Sequence, residues 1–333
     1  MSSRYTLLVA PSSNRVYGLA APRLAAAELA AFGSVLSTPL SDVEELRLGG
    51  VAYVGFSGSL TQRDIAYLSN VSSAYAFFEQ VGDLLRPVEL SPLAKFDDDL
   101  VTIPKYAGKT NEQFTKLLLN VTLLASARAG EMLERRLTVL DPLCGRGTTL
   151  NQALMYGYDA IGIESDAKDV EAYSAFLRTW LKRKRLKHKA ETHPVRRERR
   201  IVARQLEVDI GGEQRVSVFA ADTTDARQLM RAGCCDVIVA DAPYGVAHGS
   251  RTAGALSRRP LELLAAALPG WVELLRSGGA LGISWNTHVA SRQAAAEVLD
   301  KAGLQVVDAP AYGGFEHWVD QAITRDILVA RKP

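Results

Sequence analysis

Two short segments carry the side chains that could do chemistry in this chain of 333 residues. Asp141–Gly147 reads Asp-Pro-Leu-Cys-Gly-Arg-Gly, and Asp241–Tyr244, 100 residues later, reads Asp-Ala-Pro-Tyr. The glycines of the first segment let the backbone turn tightly and approach a ligand closely. The second segment combines a carboxylate, a backbone carbonyl and an aromatic ring. The pair indicates a loop for a nucleoside cofactor and a clamp for a flat amine.

The first segment follows an apolar strand, residues 138–140, and precedes a predicted helix. Asp141 then lies at the carboxyl end of a strand, where open α/β sheets bind ligands, and Gly145 and Gly147 turn the chain towards the free N–H groups of the helix. A carboxylate there can pair with the cationic amino group of S-adenosylmethionine (SAM). Leu150 replaces the third glycine of the dinucleotide motif GxGxxG, which favours SAM over a nicotinamide cofactor.

Two further carboxylates follow strands in the same region. Glu164 comes about 20 residues after the glycines and can accept hydrogen bonds from both ribose hydroxyls. Asp222 follows the next strand, where the adenine amino group is expected. Each has a simpler interpretation that the sequence leaves open. Glu164 is then an exposed acid at a strand end, and Asp222 is the N-cap of a helix.

The second segment supplies what an aromatic amine needs before it can be methylated. Such an amine is a poor nucleophile because its lone pair is delocalised into the ring. The Asp241 carboxylate and the Ala242 carbonyl can accept its hydrogens and draw the lone pair out of the ring plane. Pro243 disfavours helical geometry at Ala242, and Tyr244 offers a face for base stacking, worth ~1–3 kcal/mol.

Positive charge is concentrated between residues 178 and 204. This stretch holds twelve lysines or arginines and two glutamates, whereas the net charge of the whole chain is +2. Such an arm favours a polyanionic partner. The alternative is a solvated helical hairpin whose lysines keep it soluble. The residues predicted to contact nucleic acid are Lys182, Arg183, Lys184, Arg185, Lys187, Arg196 and Arg197.

Composition narrows the class of protein. The chain is 47% hydrophobic and 23% charged, which is typical of soluble globular proteins. It has no apolar run of the ~18 residues that span a bilayer, and its first residues do not read as a signal peptide. Three cysteines without paired spacing predict neither a disulfide framework nor a metal site. We therefore expect a cytoplasmic protein with reduced thiols.

The elements that must position these residues alternate along the second part of the chain. Predicted strands cover 138–140, 160–163, 216–219, 237–240, 280–284, 304–308 and 326–330, and predicted helices cover 148–156, 169–187, 261–275 and 291–302. Strands separated by helices build a doubly wound parallel sheet. No helix is predicted between the last two strands, only the segment that contains Gly313-Gly314, which predicts a hairpin with the final strand antiparallel. The expected fold is α/β, with a seven-stranded Rossmann-like sheet of the SAM-methyltransferase type.

Residues 1–86 predict a small α+β domain with an accessory role in RNA binding. Strands at 5–9, 35–40, 51–56 and 74–78 and helices at 23–32 and 61–68 give the βαββαβ order of ferredoxin-like domains. Residues 87–109 are rich in proline and acidic residues and are predicted to be a linker. The methyltransferase domain is expected over 110–333, with a basic helical insertion at about 178–204. Its first helix begins near Thr110, which has capping-box spacing with Gln113.

These segments together resemble the Rossmann-type amino-methyltransferases whose fourth motif is (D/N)PP(Y/F). The likeness is greatest to the THUMP-associated tRNA guanosine-N2 methyltransferases of the RNA methylase family, which typically show DPFCGxGT and DPPYG. Here these motifs are residues 141–148 and 241–245. The resemblance implies that Asp241–Tyr244 holds the target amine and that Lys109–Phe114 closes over the methionine end of SAM. The residues that this places around SAM are Asp141, Cys144, Gly145, Gly147, Glu164, Asp222, Thr110 and Asn111, with Cys144 as a small filler rather than a nucleophile.

The chain departs from the family pattern in three places. Ala242 replaces the first proline of the tetrapeptide, which removes one restraint on φ. The front unit is shorter than a complete THUMP module with its usual preceding domain. The basic arm lies between the second and third strands, where the family has a short connection.

The predicted function is SAM-dependent methylation of an exocyclic amine of a nucleobase, with guanine N2 in tRNA as the implied target. The tetrapeptide does not separate this from adenine N6 or cytosine N4 in DNA. Ala242 leaves open a SAM- or RNA-binding protein without catalysis, and a nicotinamide-dependent oxidoreductase is a more remote alternative. The expected partner is nucleic acid, and neither the modified position nor the oligomeric state follows from the sequence.

Overall fold

Two β-sheets organise the part of the chain that the computed structural model describes, which is residues 2–106, 108–242 and 260–333. Pro243 and Tyr244, both predicted to hold the target amine, lie outside the described residues. Among the helices within those ranges, none combines the length and apolar character that crossing a bilayer requires.

The N-terminal sheet has five strands and two helices packed against it. Its elements are β1 (Ser3–Val9), α1 (Arg15–Phe32), β2 (Ser41–Leu48), β3 (Val51–Gly58), α2 (Gln62–Leu68), β4 (Ala74–Val81) and β5 (Leu84–Val88). The strands pair antiparallel in the order β2-β3-β1-β4-β5. The βαββαβ order expected from sequence is present in these elements, and β5 is an addition to it.

The predicted strand at residues 35–40 is wrong. That stretch continues the turn after α1, with the Val35 N–H donating to the Phe32 carbonyl at 3.0 Å, and the strand begins at Ser41 instead. The observed β2 is an edge strand in which every residue is exposed or half-buried. It therefore lacks the apolar alternation by which a half-buried strand is recognised from sequence.

Two helices follow the first sheet. α3 (Asp99–Thr102) lies within the predicted linker, and α4 is Glu112–Ala125. The N-cap of α4 is Asn111, whose side chain accepts the Phe114 N–H at 3.1 Å, rather than the predicted Thr110. The helix is buried from Thr115 to Ala125 on nearly all sides except Lys116, because it packs against both α1 and the second sheet.

The second sheet contains the remaining strands. They are β6 (Thr138–Asp141), β7 (Asp159–Glu164), β8 (His188–Arg197), β9 (Arg200–Ile210), β10 (Gln214–Ala220), β11 (Cys235–Asp241), β12 (Leu275–Asn286), β13 (Gln305–Val306), β14 (His317–Asp320) and β15 (Ile323–Arg331). The helices between them are α5 (Thr148–Met155), α6 (Ala167–Arg183), α7 (Ala226–Leu229), α8 (Pro260–Leu274) and α9 (Arg292–Lys301).

The strand order confirms the predicted seven-stranded frame. The order is β13-β15-β12-β11-β6-β7-β10-β9-β8, with β14 paired to β15. The seven predicted strands are contiguous in it, from β13 to β10, and the strands from β12 to β10 are parallel to one another. β15 runs antiparallel to both β12 and β13, as the Gly313-Gly314 connection indicated. The order changes direction at β6, so a crevice opens beside that strand at the carboxyl edge.

The predicted basic helical insertion is wrong beyond Arg183. β8 and β9 form a long antiparallel hairpin that extends the sheet from β10. Its reason lies in residues after 200: Leu206, Val208 and Ile210 alternate with more exposed residues and are buried, which is the period of a strand. The turn between the strands has positive φ at both Glu198 and Arg199, which is the geometry of a type I′ hairpin. Neither residue is asparagine or glycine, the residue types by which such a turn is usually recognised in a sequence.

A buried polar network joins the two sheets through α1 and α4. The Glu28 carboxylate on α1 accepts hydrogen bonds from the Ser72 N–H at 2.9 Å, from the Ser72 hydroxyl at 2.6 Å and from the Asn120 amide on α4 at 2.6 Å. Asn120 also donates to the Asn70 carbonyl and accepts from the Tyr156 hydroxyl at 2.7 Å. Burial raises the pKa of Glu28. Each oxygen of this carboxyl group therefore depends on a donor from another element.

We expect Glu28→Gln to lower the free energy of unfolding by about 1–3 kcal/mol, because an amide NH₂ would face donors in place of one acceptor oxygen. Chemical denaturation monitored by fluorescence and circular dichroism measures this change. Glu171→Gln on the exposed side of α6 is the matched control, and should change stability by less than about 0.5 kcal/mol. Equal stability of the two variants would contradict a structural role for the network.

Candidate active site

A cleft of about 520 Å³ opens at the carboxyl edge of the second sheet. The loop after β6, the ends of β11 and β14, the start of α4 and the segment before it form its walls. Its lining residues are Tyr106, Gly108, Lys109, Thr110, Phe114, Thr115, Leu118, Asp141, Leu143, Cys144, Gly145, Arg146, Thr148, Thr149, Asp169, Asp241, Ala242, Val319, Asp320, Ile323 and Arg325. Both segments singled out in the sequence thus contribute to one cleft.

Direct pairing of β6 with β11 brings the two segments together. Val139 pairs with Val237 and Leu140 with Ile238, so the strands end side by side. Asp141 ends β6 and Asp241 ends β11, and both carboxylates line the cleft. The loop after β6 and the segment that begins at Asp241 therefore lie at neighbouring strand ends, which is the placement that the two predicted motifs require.

The loop after β6 is held in shape by its own backbone and by two neighbours. Gly145 and Gly147 adopt positive φ angles of 49° and 81°. A Cβ on Gly147 would come within 2.4 Å of the ring of Tyr173, so this position has no room for a side chain, whereas the Cβ position at Gly145 is open. The Gly145 N–H donates to a Glu164 carboxylate oxygen at 2.9 Å. Glycine at 147 is thus required by packing as well as by φ.

Cys144 packs beneath this loop. Its thiol sulfur lies 2.7 Å from where a Cβ on Gly162 would be, and burial raises the pKa of the thiol. The thiol is therefore protonated near neutral pH. This agrees with the interpretation of Cys144 as a small filler and gives no support for a nucleophile.

Asp141 is a buried carboxyl group in an unfavourable electrostatic setting. It is 3% exposed, and it accepts the Leu143 N–H at 3.0 Å and a hydrogen bond from the Thr149 hydroxyl. Burial, together with the negative charges of Asp241 and Glu164, raises the pKa of Asp141 to about 7. Within the described ranges, no lysine or arginine forms an ion pair with it. A cationic ligand would relieve this desolvated charge, so the site fits the ammonium group of SAM.

Asp241 is held by hydroxyl groups from two flanking elements. The Thr110 hydroxyl donates to Oδ2 and the Ser284 hydroxyl on β12 donates to Oδ1. Thr110, expected near the methionine end of SAM, therefore contacts the carboxylate predicted to hold the target amine.

Ala242 stands where the family motif has its first proline. It uses the backbone N–H that a proline lacks. Its N–H donates to the Ser284 carbonyl at 2.9 Å, which continues the β11–β12 ladder by one residue, and its side chain is 2% exposed. A proline here could not make this bond. The backbone at Ala242 is thus restrained by a hydrogen bond instead of by a ring.

The remaining residues predicted to bind SAM have other roles in the structure. Glu164 accepts the N–H groups of Gly145 and Asp166 on separate oxygens, so it braces the glycine loop. Asp222 is exposed and caps a short 3-10 turn at Thr223–Asp225 through the Thr224 N–H at 2.8 Å. Asn111 caps α4. None of these contacts excludes a ribose or adenine contact, because carboxylate oxygens keep further acceptor sites, and those roles stay predictions.

Several residues that line the cleft or contact its lining were not recognised from the sequence. Ser284 is a polar residue at the end of an otherwise apolar predicted strand, 280–284. This contrast is the feature of the sequence that could have indicated a role at the site. The guanidinium of Arg146 stacks on the ring of Tyr106 at 5.1 Å and pairs with Asp169 at 2.7 Å, which closes one wall. Arg325 places its guanidinium 4.3 Å from the ring centre of Phe114 at the floor. Tyr106 lies in the predicted linker, where no periodic pattern pointed to it.

The residues predicted to bind nucleic acid fall into two separate groups, and neither lines the cleft. Arg196 and Arg197 lie at the turn of the β8–β9 hairpin. The other five lie at the end of α6 and just after it, and they form what we call the helix-end cluster: Lys182, Arg183, Lys184, Arg185 and Lys187.

Comparison with known families finds one matching family model, which supports a class of enzyme. Residues 122–277 match the UPF0020 family model, which is described as an RMKL-like methyltransferase domain. This range contains both the loop after β6 and the segment after β11. No curated protein matches the chain. The match identifies a methyltransferase domain, and with the geometry of the loop it supports SAM as its methyl donor.

Solved structures that superpose on the chain do so at low similarity. TrmN from Thermus thermophilus is 16% identical, with 86% of this chain and 57% of that chain covered and a TM-score of 0.42. A TehB-like SAM-dependent methyltransferase from Corynebacterium glutamicum is 16% identical, with 62% and 85% covered and a TM-score of 0.36. The 1,6-didemethyltoxoflavin-N1-methyltransferase of Burkholderia thailandensis, solved with S-adenosylhomocysteine, is 17% identical, with 62% and 76% covered and a TM-score of 0.36.

The pKa of Asp141 leads to a prediction about SAM affinity. A cation beside the carboxylate favours its charged form, so SAM binding must displace a proton when the pH is below about 7. We expect the affinity for SAM to weaken by about 15-fold in total as the pH falls from 7 to 5.5. Isothermal calorimetry in buffers of different ionisation enthalpy measures both the affinity and the released proton.

Asp141→Asn provides the control for this titration. It should bind SAM weakly at every pH and show no proton release, because the amide does not ionise. A flat pH profile for the unmodified protein between pH 5.5 and 7 would remove Asp141 from the SAM site.

Proposed function

We propose that this protein methylates an exocyclic amine of a nucleobase in nucleic acid, with guanine N2 of tRNA as the preferred target. The observation that carries the proposal is the convergence of Asp141 and Asp241 on one cleft within a methyltransferase domain. The tetrapeptide beginning at Asp241 and the following Gly245 resemble the DPPYG motif of tRNA guanosine-N2 methyltransferases.

The loop after β6 and the Asp141 carboxylate would hold SAM. Its ammonium group would lie against Asp141, and the backbone turn at Gly145 and Gly147 would let the ligand approach the main chain. When bound, SAM supplies a methyl group activated by a positively charged sulfur. Glu164 supports this arrangement because it fixes the Gly145 amide at 2.9 Å.

The Asp241 carboxylate would orient the acceptor amine. As an acceptor for an amine N–H it draws the nitrogen lone pair away from the ring, and it carries the negative charge that stabilises the nitrogen as it becomes positive. Thr110 and Ser284 position the carboxylate, since each hydroxyl binds a different oxygen. The proton leaves the nitrogen after the new N–C bond forms, so a weak base is sufficient.

The Ala242 carbonyl is the second proposed acceptor for the amine. The hydrogen bond between its N–H and the Ser284 carbonyl fixes the Asp241–Ala242 peptide, which anchors Ala242 on the side that precedes this carbonyl. This bond supports catalysis despite the missing proline, and so favours an enzyme over a SAM-binding protein without turnover.

Nucleoside mass spectrometry tests the choice of substrate. Bulk tRNA, ribosomal RNA and genomic DNA from a strain lacking this gene are compared with the parent strain and after restoring the gene. Loss of a methylguanosine from tRNA, with recovery on complementation, is the expected result. Loss of methyladenine or N4-methylcytosine from DNA would transfer the proposal to DNA.

We expect Asp241→Ala to reduce methyl transfer by at least about 100-fold, because the main acceptor for the reacting amine is lost. Affinity for SAM should stay within about threefold. Transfer of a radiolabelled methyl group to undermethylated tRNA measures the first, and calorimetry the second. Asp300→Ala on the exposed surface of α9 is a control of equal charge change. Turnover at the unmodified rate in Asp241→Ala would exclude this carboxylate from the mechanism.

A further inference from the structure

The β8–β9 hairpin extends past the edge of the sheet at which the cleft opens. Pairing between β9 and β10 ends at Arg204 and Ala220, and Ala220 pairs with Glu164 at the carboxyl end of β7. From there β9 continues outward to Arg200, its pairing with Arg197 closing the hairpin. At about 3.3 Å per residue, the four residues beyond Arg204 carry the turn about 13 Å past the strand ends.

This projecting part of the hairpin is strongly basic. We call it the arginine tip, and its arginines are Arg196, Arg197, Arg199, Arg200 and Arg204, all of them exposed. Glu198 is the single acidic residue among them. In the described part of the chain, Arg196, Arg199 and Arg200 form no ion pair. Arginine presents a planar set of donors that binds phosphate oxygens in pairs.

The tip is held in place by contacts at its base. Val195 and Val202 pack against the apolar cluster that contains Leu229 of α7, and Ala203 is buried in the same cluster. The Arg197 side chain donates to the Gln228 carbonyl at 2.8 Å. The charges of the tip therefore have a fixed position relative to the cleft, unlike charges on a free loop.

The helix-end cluster occupies the opposite edge of the sheet. Lys187 precedes His188, which pairs with Ile210, and Ile210 pairs with Gln214 at the amino end of β10. Lys187 and Arg197 are ten residue steps apart along β8, or about 33 Å. Lys184 is already paired with Asp97 and Asp99, each at 2.7 Å. The basic stretch thus divides into two clusters, and only one of them lies on the side of the active site.

We propose that the arginine tip binds the phosphodiester backbone of the nucleic acid whose base enters the cleft. The proposal rests on the proposed function for the identity of that nucleic acid. The helix-end cluster then has no part in substrate binding, although its sequence is equally basic.

The distance between the arginine tip and the cleft sets a minimum length for the nucleic acid that contacts both. β9 is separated from β11 by four strand spacings, or about 19 Å at about 4.8 Å each. A nucleotide cannot span this distance, whereas a folded or duplex nucleic acid spans it with about six phosphates of one strand. The tip therefore favours a nucleic acid with at least about six phosphates on one strand over a mononucleotide.

The test compares two triple variants that remove the same charge. The tip variant is Arg196→Gln, Arg199→Gln and Arg200→Gln, and the helix-end variant is Lys182→Gln, Arg183→Gln and Lys187→Gln. Fluorescence anisotropy gives the dissociation constant for bulk tRNA and for duplex DNA across a salt titration. Methyl-transfer assays give KM and kcat for the nucleic acid, and calorimetry gives SAM affinity.

We expect the tip variant to bind tRNA about tenfold or more weakly, with a shallower salt dependence, because fewer counterions are released. KM should rise to the same extent, with kcat and SAM affinity unchanged. The helix-end variant should match the unmodified protein, since at 0.1 M salt its charges lie beyond the ~10 Å screening length. A stronger effect on DNA than on tRNA would assign the same phosphate contacts to DNA.

Two results would overturn the assignment. Equal weakening by both variants would show that the charge acts without regard to position, and unchanged binding in the tip variant would remove the tip from the interface. Either result leaves methyl transfer by the unmodified protein intact, so it does not affect the proposed function. Conversely, tip-dependent binding without any transfer would contradict the proposed function and retain the tip as a binding surface.

Discussion

The register between β6 and β11 is the constraint on which the site depends. It places two carboxylates at neighbouring strand ends and leaves Glu164 on the next strand, in surroundings that raise the pKa of Asp141 to about 7. Like charges brought together in a buried place weaken the folded protein unless a cation accompanies them. A cation beside Asp141 would offset this cost, which supports the proposal that the ammonium group of SAM lies there.

The rest of the domain fixes the positions of these groups. Thr110 from the segment before α4 and Ser284 from β12 hold the Asp241 carboxylate from two directions. Tyr173 from α6 leaves room only for glycine at position 147, and the Glu164 carboxylate ties the same loop to β7. Residues that are far apart in sequence thus each restrain one atom group of the site. Preorganisation of this kind reduces the cost of ordering the reacting groups.

Much of this architecture could be predicted from sequence, for identifiable reasons. The strands β6, β7, β10, β11 and β15 are apolar and are bounded by glycines and acidic residues. Their positions along the chain could therefore be predicted, and with them the location of the site at the strand ends. The β8–β9 hairpin was missed because its lysines and arginines suit a helix and its turn lacks asparagine and glycine. Tyr106 contributes a single side chain through tertiary contacts, and no periodic pattern in the sequence indicates such contacts. β2 was misplaced because an exposed edge strand carries no apolar alternation.

The buried contacts of the Glu28 carboxylate limit how the N-terminal sheet can be replaced during evolution. It lies at a junction without solvent, with donors supplied by Ser72 on one side and Asn120 on the other. An N-terminal domain attached in this way cannot simply be exchanged for another. A replacement domain would need a carboxyl group at the same position to accept the Asn120 hydrogen bond. The β8–β9 hairpin differs in this respect: its turn is held through contacts at its base, so its length and charge can change without a matching change in the N-terminal sheet.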